Sequence, residues 1–134
     1  MIDRRDFLKT AVVTTSVAAM MSSGAAFADN QSFPGVVYTK KQPGQWAKKV
    51  GSHAPEVTVD GSKVMLVTRH GMSAEHYIVR HTLVLGDGTV VGATTFTAAD
   101  KPESSYDLPA NYKGVVYATS FCNKHDFWVT ELSV

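Results

Sequence analysis

Cys122 is the only cysteine in a chain of 134 residues, and it stands in the run Cys122-Asn123-Lys124-His125. A single thiol cannot close an intramolecular disulfide, so it must pair with another molecule, stay free and reactive, or be held by a metal. The histidines favour the metal. Cys122 and His125 form a C-x-x-H pair, and two intervening residues suffice for the chain to turn and aim both side chains at one ion. His70 and His76 form an H-x5-H pair around Gly71-Met72-Ser73-Ala74-Glu75, and His53 begins the run His53-Ala54-Pro55, where Pro55 biases Ala54 toward an extended backbone. Each histidine taken singly reads as an ordinary surface or capping residue. Four of them with the one cysteine read as a donor set.

One thiolate with several imidazoles suits iron(II), copper or zinc. A structural zinc site uses four ligands, often with more than one cysteine, and here there are five candidates. A blue-copper centre would take two histidines and the cysteine, often with a weak axial methionine, and no methionine follows Cys122. Four imidazoles and a thiolate fit five-coordinate iron with one open position. Ligand chemistry therefore leans toward iron while leaving the other two ions open.

The elements that must position these residues read as strands. Expected strands run over Phe33–Tyr38, Glu56–Val59, Lys63–Thr68, Tyr77–Leu85, Thr89–Phe96, Gly114–Phe121 and Phe127–Val134, with a short helical turn over Gln45–Val50. Gly86-Asp87-Gly88 marks a hairpin, Cys122–Asp126 is the loop joining the last two strands, and Thr97–Tyr112, with Pro102 and Pro109, reads as a long loop. The expected fold is all-β, an antiparallel β-sandwich of about seven strands. The histidines of the two pairs and His53 then fall at strand ends or in loops, where binding groups collect. His81 lies outside these motifs. Inside a strand it shares a face with Val79, Leu83 and Leu85 by alternation, which makes it a hydrogen-bonded core histidine. Trp46, Tyr77, Phe121, Phe127 and Trp128 read as packing residues.

Residues 1–28 read as an export address. Arg4-Arg5 followed by Phe7-Leu8-Lys9, a short apolar run and Ala26-Phe27-Ala28 resemble a cleavable twin-arginine signal. That route carries folded proteins, which suits a cofactor protein and implies a periplasmic location. Cleavage would leave residues 29–134 as one domain, with ten Lys and Arg against ten Asp and Glu. Such a balance offers no basic stripe for nucleic acid. No later stretch is apolar for long enough to cross a bilayer, so no stable membrane association is expected after cleavage.

His53-Ala54-Pro55, His70 through Ile78, and Phe121-Cys122-Asn123-Lys124-His125-Asp126-Phe127-Trp128 resemble, in order, the three metal-binding segments of the superoxide reductases, that is, the neelaredoxin and desulfoferrodoxin proteins. The likeness runs from about Trp46 to Trp128. It implies an immunoglobulin-like sandwich holding one mononuclear non-haem iron. His53, His70, His76 and His125 would be equatorial ligands and Cys122 the axial thiolate. The implied reaction is one-electron reduction of superoxide to hydrogen peroxide, with an external electron donor restoring Fe(II). Backbone N–H groups near Asn123 and Lys124 would then hydrogen-bond the sulfur.

The sequence departs from the family pattern in three places. The usual Glu-Lys pair before the first histidine is here Gly51-Ser52, a common proline is Gly71, and a common glycine is Asp126. Lys48, Lys49 and Lys124 are the nearby cations that could steer an anion in place of the absent lysine. With a single cysteine the chain also lacks the small four-cysteine iron domain of desulfoferrodoxins and resembles the one-iron form. The gap at Gly51-Ser52 keeps a second reading in view: an exported, non-catalytic electron carrier or redox sensor on the same sandwich. Assembly into a homo-oligomer is left open.

Overall fold

A computed structural model describes residues 33–134; the expected export signal over residues 1–28 lies outside them. Eight strands lie among the described residues: β1 (Val37–Tyr38), β2 (Glu56–Asp60), β3 (Lys63–Val67), β4 (Ile78–Leu85), β5 (Val90–Thr95), β6 (Glu103–Asp107), β7 (Val115–Cys122) and β8 (Asp126–Ser133). A 3₁₀ segment, Gly44–Lys49, runs into a single helical turn, α1 (Val50–His53). The strands form two sheets, one ordered β1-β8-β7-β4-β5 and the other β2-β3-β6. The all-β sandwich is as expected, with three differences.

The first strand is two residues long and pairs parallel with β8, because Phe33-Pro34-Gly35-Val36 closes into a turn and leaves only Val37 and Tyr38 to extend. The stretch expected to be a loop between Phe96 and Tyr112 contains β6, which pairs antiparallel with β3 from Glu103 to Asp107. Its sequence, Glu-Ser-Ser-Tyr-Asp, has little intrinsic strand preference, and Pro102 and Pro109 flank it. Tertiary pairing decides the matter. Tyr106 of β6 lies over Gly92 of β5, where a Cβ would run into its ring. The third difference is at the last turn: β7 runs on to Cys122 and β8 begins at Asp126, so the expected loop Cys122–Asp126 shrinks to the three residues between them, while Phe127 packs its ring on Phe121.

Alternation along the central strands builds the interior. β7 buries Val116, Ala118, Ser120 and Cys122 while the residues between them stay half-buried, and β4 buries His81, Leu83 and Leu85 in the same way. Leu83, Leu85, Val116 and Ala118 meet Val64 and Leu66 of β3 to make the main core, while Cys122 packs in a smaller cluster with Ile78 and Phe96. Cys122 thus follows from period-two geometry as an inward residue at the end of a core strand, 1% exposed. His81 is fully buried, as expected of a core histidine. Its Nε2 lies 2.8 Å from Thr68 Oγ1, its Nδ1 2.8 Å from Ser104 Oγ, and Thr68 Oγ1 is 2.9 Å from Ser120 Oγ. No helix among the described residues is long and apolar enough to cross a membrane.

Candidate metal centre

Three separate pieces of chain bring the donors to one end of the sandwich. His53 closes α1, where the chain turns to extended backbone at Ala54 and Pro55. It is buried at the end of a helical turn, where the sequence suggested a loop. His70 follows β3, His76 precedes β4, Cys122 ends β7, and His125 sits in the tight turn to β8.

The ligand atoms of His53, His70, His76 and Cys122 all lie within 4.8 Å of one another. His125 joins them through Nδ1, which is 3.0 Å from His53 Nε2, 3.1 Å from His76 Nε2 and 3.6 Å from Cys122 Sγ. His76 Nε2 is in turn 3.1 Å from His70 Nε2. The nitrogens therefore run round a quadrilateral in the order His53, His125, His76, His70. Rings adjacent in that order have centroids 4.5 to 4.8 Å apart, while the opposed pair His53 and His76 is 6.0 Å apart. Three nitrogen-to-nitrogen edges measure 3.0 to 3.1 Å, and a square with edges of that length has its centre about 2.1 Å from each corner, an ordinary imidazole-to-metal distance.

Protonation states agree with that geometry. Burial lowers the pKa of His53 to about 4, with the neighbouring His70 and His125 adding to the effect. Burial is also the first cause of the lowered values of His70, His76 and His125. All four shifts favour the neutral imidazole, the form that can present a lone pair. The Nδ1–H of His53 is placed between Ser52 Oγ at 2.8 Å and the Lys49 carbonyl at 3.2 Å, which leaves Nε2 as the free acceptor facing the others. His70 Nδ1 is buried with no hydrogen-bond partner, and the nearby Gly71 backbone opposes its shift only in part. Convergent lone pairs at about 3 Å repel unless something cationic lies among them. The donor set fits a metal ion.

Packing fixes the loops around the donors. Trp128, fully buried, donates its Nε1–H to the His125 carbonyl at 3.2 Å and lies against His53. Trp46 meets His125 edge-on at 4.7 Å. Asn123 fastens the two ligand loops together: its Oδ1 accepts from the Tyr77 N–H, its Nδ2 donates to the Glu75 carbonyl, each at 3.0 Å, and its own N–H donates to the Tyr77 carbonyl at 3.2 Å. That last bond differs from the expected one to the sulfur, because the loop needs its amide for cross-loop pairing. Asp126 has φ of +59°, the left-handed region that glycine prefers. The turn thus keeps a glycine-like shape without a glycine.

An open cleft of about 450 Å³ lies on the histidine side, lined by Lys49, Ser52, His53, His70, Gly71, Met72, Ser73 and His76. Cys122 does not line it. Of the three lysines named from the sequence, Lys49 stands in the cleft wall, 5.9 Å from the centre of the Trp46 ring. Its charge contributes to the lowered values of His70, His76 and His125, and Lys124 does the same for His76 and His125. Lys48 is exposed and takes no part in the cleft. Sequence reasoning missed the Asn123 clasp and Met72, whose Sδ accepts the Ile78 N–H at 3.4 Å and which packs against Cys122 and Phe96. An amide side chain directly after a ligand was the available signal for the first.

A family model described as desulfoferrodoxin matches residues 45–131. No curated protein matches the chain by sequence. Among solved structures, a variant of the superoxide reductase (neelaredoxin) from Ignicoccus hospitalis is similar with a TM-score of 0.67 and 24% identity, covering 78% of this chain and 98% of the other. The one-iron superoxide reductase from Giardia intestinalis gives 0.57 and 21% over 62% of this chain and 98% of its own. The superoxide reductase from Treponema pallidum gives 0.50 and 28% over 60% of this chain and 66% of its own.

Proposed function

This chain belongs to the desulfoferrodoxin family, and on that premise we propose that it is an oxidoreductase reducing superoxide to hydrogen peroxide at one non-haem iron. The observation that carries the reading is the convergence of His53, His70, His76 and His125 nitrogens at 3.0 to 3.1 Å beside the Cys122 thiol. In this reading the four imidazoles and the thiolate are the ligand set. Iron, when bound there, would supply the single electron, and the Cys122 thiolate would raise its electron density.

The chain's own residues do the rest. The positive charge of Lys49 in the cleft wall attracts an anionic substrate toward the histidine side, with Lys124 adding to the field. Burial of Cys122 behind the histidines keeps water from the sulfur. Ser52, which stands where the family's lysine would be, is engaged by His53 Nδ1 and holds that ring in the tautomer a ligand needs. Gly51 leaves open space where a longer side chain would reach. The cleft is open, so the two protons needed to make hydrogen peroxide can come from water.

The twin-arginine-like N-terminus supports export to the periplasm, where a separate donor would return an electron after each turnover. Iron content and the visible spectrum of the oxidised, tag-free mature protein test the centre. About one iron per chain with a thiolate-to-metal band is expected, followed by superoxide consumption with peroxide formed. Zinc, copper or no metal in properly loaded protein would overturn the reading. Iron with the band but no superoxide turnover would favour the electron-carrier reading, for which the missing Glu-Lys pair speaks.

A further inference from the structure

Two methionines lie among the described residues, and they occupy opposite situations. Met65 is in β3 with its side chain 41% exposed on the outer face of the three-stranded sheet. Met72 is half-buried in the loop between His70 and His76 and lines the cleft together with those histidines and His53. Its sulfur is held in place by the Ile78 N–H at 3.4 Å, and the side chain packs against Ile78, Phe96 and Cys122. In bulk peroxide, exposure would favour Met65. Peroxide released into the cleft meets Met72 first.

We propose that Met72 is a modification site, oxidised to the sulfoxide by the hydrogen peroxide that the centre itself produces. The step balances without another reagent: the peroxide O–O bond breaks, one oxygen bonds to Sδ, and the other leaves as water, so sulfur is oxidised by two electrons and peroxide is reduced. The new oxygen is polar and bulky. It competes for the Ile78 N–H that the thioether now accepts, enters the packing against Phe96 and Cys122, and perturbs the surroundings of the thiolate. The protein would carry a record of its own turnover beside its metal ligand, one that methionine sulfoxide reductases could erase.

This inference rests on the superoxide reductase reading. Its test is a superoxide flux over the iron-loaded protein, with a one-electron reductant supplied to restore Fe(II) after each turnover and catalase in solution to remove peroxide that has escaped, read by peptide mass spectrometry. Oxygen should be gained at Met72 at least about fivefold faster than at Met65. In Met72→Leu, the drift of the thiolate absorption over repeated superoxide additions should slow by a similar factor, while metal content reports that the variant is folded and loaded. Equal oxidation of the two methionines, or Met65 first, overturns the inference. A second flux without catalase measures peroxide formed per superoxide consumed: one peroxide for every two superoxides, which spontaneous dismutation gives by itself, removes the proposed activity and this inference with it, whereas a ratio approaching one to one with Met72 intact removes this inference alone.

Discussion

His53 and His81 are both buried histidines whose pKa burial depresses to about 4, yet they answer to different surroundings. Both nitrogens of His81 meet hydroxyls, Thr68 Oγ1 on one side and Ser104 Oγ on the other, and Thr68 passes the contact on to Ser120. The ring is satisfied from within the protein and joins the two sheets. His53 is satisfied on one side only, by Ser52 and Lys49, and its other nitrogen faces a second imidazole at 3.0 Å. Burial and neutrality are common to both. What separates a metal ligand from a core histidine is where the second nitrogen points.

The largest expected effect breaks the cluster side of that contrast. Cys122→Ser should abolish any thiolate-to-metal absorption in the metal-loaded protein, because a hydroxyl cannot supply the transition. An unchanged visible spectrum would remove Cys122 from the ligand set and leave the histidines without their buried thiol partner.

A second test addresses His81. Its folded value of about 4 lies below the ordinary 6.5, so the unfolded chain takes up a proton first as the pH falls. The stability tied to neutral His81 is whole above about 6.5, is lost progressively from there to about 4, and is gone below that. The loss amounts to roughly 3 kcal/mol. Denaturant unfolding at pH 7 and at pH 4 should show His81→Gln losing less stability than the parent by about that much, the metal-site histidines titrating alike in both. Equal losses would mean that His81 is not held neutral.

Charge sharpens the contrast further. The shift of His81 has burial as its only cause, whereas Lys49 and Lys124 act on the cluster. Lys49→Gln should therefore leave the thiolate band in place but slow superoxide capture about tenfold and flatten its salt dependence. An unaltered rate and salt slope by pulse radiolysis would leave the cleft without its steering charge.

Much of this was legible in the sequence, for identifiable reasons. Ligand spacing survives folding because C-x-x-H and H-x5-H are local, and the alternation of β4 is a period-two pattern that fixed the core place of His81. The burial of Cys122 did not follow in the same way, because the expected strand stops at Phe121 and β7 carries on one residue to point the thiol inward. β6 was not legible, since a Glu-Ser-Ser-Tyr-Asp segment becomes a strand only through pairing with β3 and the fit of Tyr106 over Gly92. Nor could spacing separate Lys48 from Lys49. They are adjacent in sequence, and the turn from the 3₁₀ segment into α1 sends one to solvent and the other to the cleft.

The smallest effect belongs to Asp126, in the turn that carries His125. Its φ of +59° costs a residue with a Cβ about 1 kcal/mol or more, though Asp tolerates the region better than most. Glycine would remove that strain but loses more freedom on folding, by about 0.5 to 1 kcal/mol. The two nearly cancel, so Asp126→Gly should stabilise the protein by no more than about 0.5 kcal/mol. Asp126→Val keeps the Cβ, adds branching and should destabilise by about 1 kcal/mol or more. If denaturant melts instead showed the glycine variant markedly weaker, the carboxylate itself would be holding the turn. The left-handed backbone would then be a consequence of that contact, and the glycine-like shape of the ligand loop would owe nothing to conformational freedom.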